Sequence, residues 1–152
     1  MKKVNLWGWI FLLLLGGCIS QGRLPSNHTG QTECLGDLFD GHIRVRAWGA
    51  GLTKPDAIQM AQKNAVSDLL FEGIRRGNPG CQQPPLMPGP NAYERHAAFF
   101  EHFFKDAGDY KKFTQVEKVT GFYRIAGSRQ FVARVQLRMD KRGLHREMER
   151  LK

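Results

Sequence analysis

The sequence has no hydrophobic run long enough to span a bilayer: its one strongly apolar stretch, Leu6 to Leu15, stops at Gly16 and Gly17. A spanning helix needs about 20 apolar residues. Recognisable catalytic and metal-binding patterns are also missing. Gly49-x-Gly51 precedes a helix start with Lys54 nearby, but no third glycine falls at the dinucleotide position and no Gly-Lys-Ser/Thr follows. That excludes a fingerprint nucleotide site and leaves a turn in which glycine supplies backbone freedom. His28, His42, His96, His102 and His145 contain no His-x-x-x-His spacing and no clustered carboxylates, so no metal site is expected. Ser67, Ser128 and the cysteines lack a nucleophile elbow, and no repeat of 20 to 50 residues is visible. No catalytic residue, no cofactor and no enzyme are therefore read from the chain.

What is present at the start is an address. Lys2 and Lys3, then the short apolar run, form a signal peptide over residues 1–17. Its end, Leu15-Gly16-Gly17-Cys18, resembles the lipobox of bacterial lipoproteins, which implies cleavage before Cys18 and acylation of that cysteine. Two or three acyl chains anchor permanently, where one would be marginal. Ile19 to Gly22 carries no acidic run and no aspartate directly after the cysteine, which by the same resemblance implies the periplasmic side of the outer membrane, surface display being the alternative. Residues 18–41, rich in Ser, Gly, Gln, Thr and Asn, read as a lipidated tether reaching roughly 20 Å as a coil.

Lys and Arg total 23 against 14 Asp and Glu, a formal +9, and removing Lys2 and Lys3 leaves 9 − 2 = +7 for the mature chain. A lipid anchor outside the cytoplasm turns that charge away from nucleic acid and toward anionic glycans, lipid headgroups or an acidic protein face. With Cys18 acylated, Cys34 and Cys81 remain; an even pair in an oxidising compartment points to one disulfide, two free thiols being the alternative.

A chain of 152 residues, 41% hydrophobic, has room for one domain, expected over 42–152. Its centre is Arg46 to Arg76. From His42 to Trp48 the sequence alternates with a period of two, Ile43, Val45 and Ala47 on one face and His42, Arg44, Arg46 and Trp48 on the other. Thr53, Pro55 and Asp56 then signal a helix start. Ala57, Ala61, Ala65 and Leu69 form its contact stripe, with Ile58, Val66, Leu70 and Ile74 beside them, up to Gly73 or Arg75. The proline- and glycine-rich stretch 77–91 predicts a long loop pinned by Cys81. A second helix is expected after Asn91, with Glu94 completing a capping box and four phenylalanines from Phe99 to Phe104. A hairpin is read over 116–139, turning at Ala126-Gly127-Ser128 with Gly121 as a bulge, and a terminal helix follows with Leu144, Met148 and Leu151 as its stripe. The expected class is α+β, an antiparallel sheet of at least three strands with two main helices on one face.

That pairing would place Arg44, Arg46, Lys118, Arg124, Arg134 and Arg138 on one surface with Trp48 and Phe122. Cations interleaved with aromatics suit a binding face, and a solvated sheet surface is the plainer alternative.

The Gly-x-Gly followed by Ala57-x-x-x-Ala61-x-x-x-Ala65 resembles the N-terminal domain of the flagellar assembly protein T and related membrane-associated lipoproteins. Phe-Phe-Glu-His-Phe-Phe and Gly-Asp-Tyr-x-x-Phe resemble segments of Bacteroides-type lipoproteins. The resemblance implies an α+β module for binding or assembly, with no catalytic residue to carry over. The expected partners are the membrane, through the lipid, and an envelope protein. Glycan, peptidoglycan or lipopolysaccharide binding is the second reading and a hydrolase the third. Oligomeric state is not legible.

Overall fold

The computed structural model describes residues 30–151. The expected signal peptide, the lipobox-like segment with Cys18 and half of the expected tether lie outside them. Within that range the chain is α+β. Five strands, β1 (Glu33–Asp37), β2 (His42–Gly51), β3 (Arg76–Gly77), β4 (Thr114–Arg124) and β5 (Phe131–Asp140), form one sheet in the order β3-β1-β2-β5-β4. Four helices accompany it: α1 (Lys54–Ser67), α2 (Ala92–Arg95), α3 (Ala97–Phe103) and α4 (Lys141–Glu149).

The sheet is mixed rather than purely antiparallel, because β3 runs parallel to β1. Neither of these strands is visible in the sequence pattern. β1 falls inside the stretch read as tether, since only five residues pair and Cys34 is its one buried side chain. β3 is two residues long and depends on Gly77, whose φ of +90° and contact with the Cys34 backbone exclude a Cβ.

The helix–sheet contact is built on small residues. β2 does not break at Gly49 but continues through Gly51, paired with β5 to the end. A Cβ on Gly49 would fall on the Ala57 carbonyl and the Ala61 amide, and one on Gly51 would meet the Ala57 amide. Ala57, Ala61 and Ala65 are fully buried on the facing stripe, so α1 lies directly on the strand backbone. The expected helix start at Thr53 carries a capping box: the Thr53 hydroxyl accepts from Asp56 N–H and the Asp56 carboxylate accepts from Thr53 N–H, both at 3.2 Å.

After Ser67 the helix widens into a π turn, Asp68–Glu72, closed by Gly73 N–H donating to the Asp68 carbonyl at 2.7 Å. Helix-end carbonyls need partners. Here the proline-rich loop supplies them, Leu86 and Met87 N–H donating to Leu69 and Leu70. The same loop pairs Gln83 with Ile74 and is tied to β1 by a Cys34–Cys81 disulfide across a Cα–Cα distance of 6.0 Å.

The second helix departs from expectation. Asn91 sits at φ +57° with no side-chain cap, so there is no capping box, and His96 interrupts the helix between α2 and α3. The aromatic demand of the segment is met by packing instead. Phe100 and Phe103 are buried, and Phe71 of the π turn meets Phe100 and Tyr93 edge-on. α4 begins where β5 ends, Asp140 accepting from Gly143 N–H at 2.7 Å, and buries Leu144 and Met148 as predicted.

Candidate functional site

The sheet face opposite Ile43, Val45 and Ala47 carries the predicted cluster, rearranged by two bulges in β4. Register shifts at Glu117 and Thr120 each insert one residue, where the sequence pattern gave one bulge at Gly121. Every bulge inverts the in–out alternation beyond it. Phe122 consequently pairs with Ala133 and Arg124 with Phe131, both on the helix side; Lys54 lies over the Phe122 ring at 5.0 Å and Arg124 over Phe131 at 4.7 Å. Neither joins the surface assigned to it from the sequence. Tyr123, expected inside, takes a place on the outer face opposite Val132.

Arg44, Arg46, Arg134 and Arg138 do come together, with Lys118 exposed at the β4 edge. Trp48 stands opposite Arg134 but is buried rather than displayed. What the sequence did not disclose is that carboxylates are threaded between the arginines. Glu117, freed by its bulge, reaches across β5 and accepts from Arg44 Nε at 2.6 Å and Nη2 at 3.0 Å, and from Gln136 Nε2 at 2.9 Å. Glu33 of β1 accepts from Arg46 at 3.1 Å. Asp40, in the turn after β1, accepts from Arg138 at 2.5 Å and pairs with His42 at 3.0 Å. Arg134 donates to the Thr120 hydroxyl at 3.0 Å and lies over the Tyr123 ring at 5.6 Å.

The face is thus a ladder of fixed, half-exposed arginines with local counter-charges. The Arg44 hydrogen bond, followed by that of Gln136, holds the Glu117 carboxyl below its ordinary range, and Glu117 in turn raises the Arg44 guanidinium. Asp40 is lowered, chiefly by the His42 N–H; desolvation opposes this, and the His42 ring and Arg138 add further lowering. A bidentate arginine–carboxylate pair fixes guanidinium orientation as well as charge.

A second feature lies at the end of the sheet where β1 turns into β2. Asp37, Phe39 and Gly41, residues Gln83 and Leu86 of the proline-rich loop, and Lys141, Arg142 and His145 of α4 line a cleft of about 510 Å³. Phe39 stands on its rim, 92% exposed at φ +59°. The sequence signal was Asp37-Leu38-Phe39-Asp40-Gly41, where aspartates that cap turns bracket an aromatic.

Among the described residues no group of three or more His, Cys, Asp or Glu is placed to hold a metal ion, and no helix is long and apolar enough to cross a membrane. No family model, no curated protein and no solved structure matches the chain.

Proposed function

We propose that the chain is a non-enzymatic lipoprotein of the cell envelope, held through Cys18 in the outer membrane on its periplasmic side, whose domain serves as a binding or assembly module for another envelope protein. The observation that carries this reading is the arginine–carboxylate ladder on the sheet face that α1 leaves uncovered. Arginine is enriched in protein interfaces, and side chains already fixed in place lose little entropy on binding.

Charge balance favours a protein over a polyanion. A lipopolysaccharide phosphate or a peptidoglycan carboxylate would have to displace Glu117, Glu33 and Asp40 from the arginines they hold. A protein surface can interleave charges of both signs. The glycan reading draws on Arg134 stacked over Tyr123, a pair suited to a sugar ring beside an anionic group.

The test is crosslinking in intact envelopes followed by affinity purification, comparing the native chain with an Arg134→Glu/Arg138→Glu variant. A reproducible partner lost in the variant is expected, and an unchanged partner set overturns the sheet-face assignment. Salt-sensitive sedimentation with purified sacculi would move the assignment to glycan. Anchoring is tested separately by metabolic fatty-acid labelling, which Cys18→Ala should abolish.

A further inference from the structure

We infer that the chain associates with a second copy of itself by reciprocal docking, the Asp37–Asp40 tip of each copy entering the cleft of the other. The inference is independent of the anchoring and shares one residue with the sheet-face ladder, Asp40, which also holds Arg138 and His42 of its own chain.

Phe39 is the first observation. A phenylalanine 92% exposed is held here in the left-handed region, which a bulky side chain rarely adopts. The turn nonetheless fixes it there: Phe39 N–H donates to Asp37 Oδ1 at 2.7 Å, and His42 N–H donates to Asp40 Oδ1 at 3.0 Å. Gly41, at φ +94°, lets the chain pass under the Arg142 side chain, and Arg142 N–H donates to the Gly41 carbonyl at 3.1 Å. The ring is therefore presented on a rigid support, as an interface anchor requires.

The cleft is the second. Leu86 supplies an apolar surface, and α4 supplies Lys141, Arg142 and His145 along one wall. Lys141 already faces Asp37 at 3.5 Å, whereas Arg142 is in no ion pair among the described residues. The occupant that suits this cleft is an aromatic ring flanked by carboxylate. The tip of a second copy presents that combination in Phe39 and Asp40, the latter 46% exposed.

Adjacency supplies the symmetry. Because tip and cleft share one rim, a two-fold axis beside Phe39 allows each copy to give and receive at once, which is the geometry of a closed dimer. An anionic bilayer fits less well, since Asp37 and Asp40 bracket the ring that would have to insert. The contact is small, two rings with their immediate surroundings, so the dimer is expected to be weak and to depend on local concentration.

The test uses the full chain in cells, with the photo-reactive analogue benzoyl-phenylalanine replacing Phe39. Illumination should give a homodimer adduct, identified by mass spectrometry as the probe joined to peptides containing Leu86 or Arg142. The same probe at Leu52, exposed at the opposite end of the sheet, should give none. Arg142→Glu should lower the adduct at least about fivefold while Arg142→Lys keeps most of it, as for reversal against retention of one charge contact. Native resistance to limited proteolysis, with the Cys34–Cys81 bond intact on a non-reducing gel, certifies that each variant is folded. If probe-bearing, folded chain yields no homodimer, or only adducts to other proteins, self-docking is wrong. Equal yield from Leu52 overturns it as well.

Discussion

The two faces of the central sheet solve opposite problems. On the inner face α1 meets β2 almost without side chains: Gly49 and Gly51 below, Ala57, Ala61 and Ala65 above, with backbone against backbone. On the outer face the same strand carries Arg44 and Arg46, long side chains held at their tips by Glu117 and Glu33. The inner contact is steric and has no slack, because the neighbours of any added atom are backbone. The outer contact is electrostatic and half in water, so a change of one side chain there costs the fold less than an added atom on the inner face. The first fixes the shape of the domain and the second leaves a surface free for recognition.

The largest effect should come from Gly49→Val, which drives two methyl groups into the backbone of α1. A loss of more than about 3 kcal/mol, or no folded protein, is expected in denaturant unfolding, at the top of the range for overpacking. A loss below about 1 kcal/mol would mean that the inner face yields more than its geometry allows.

Next is the disulfide, which couples β1 of the outer ladder to the loop that completes α1. Cys34→Ala with Cys81→Ala should cost about 2–4 kcal/mol, close to what closure of a loop of this length contributes. Calorimetry under non-reducing conditions measures it. Hydrogen exchange should show the loss concentrated at the amides of Leu86 and Met87, which donate to the Leu69 and Leu70 carbonyls.

On the outer face, Glu117→Gln should cost less than about 1 kcal/mol at neutral pH. Its signature is the pH dependence. The carboxyl is held below its ordinary 4.5 in the folded chain, so the unfolded chain takes up the proton first as pH falls. Stabilisation from Glu117 is therefore full above about 4.5 and is lost as pH drops through the folded value. Urea midpoints measured down this range should fall less steeply for Glu117→Gln than for the native chain. Parallel curves would remove Glu117 from the ladder.

The smallest effect on stability belongs to Phe39→Ala, expected within about 0.5 kcal/mol because the ring touches little of its own chain. A larger loss would make Phe39 part of the fold rather than of a surface.

The inner face was legible before any coordinates. Alternation in His42 to Trp48, the Thr53–Asp56 cap, and alanines every four residues are local signals with fixed periods, and the structure repeats them residue for residue. The outer face was legible in part. Arg44, Arg46, Arg134 and Arg138 were placed correctly because their strands β2 and β5 pair without a bulge, whereas Phe122 and Arg124 were not, since the residue inserted at Thr120 inverts the parity of β4 beyond Val119. Asn91 looked like a cap because Glu94 follows at the right spacing, but its left-handed backbone points the side chain away from that task.

The sequence by itself determined the α+β class, the helix–sheet packing stripe and the hairpin, because each rests on neighbours a few positions apart. Tertiary structure alone decided the rest. β1 and β3 exist only because Cys34 and Gly77 lie against strands and loops distant in the chain. The counter-charges of the arginines come from Glu33, Asp40 and Glu117, brought from three separate segments. The cleft beside Phe39 needs a turn, a loop and a helix to meet. Periodicity records which side of an element is buried. It does not record what that side will meet, and in this domain recognition depends on the meeting.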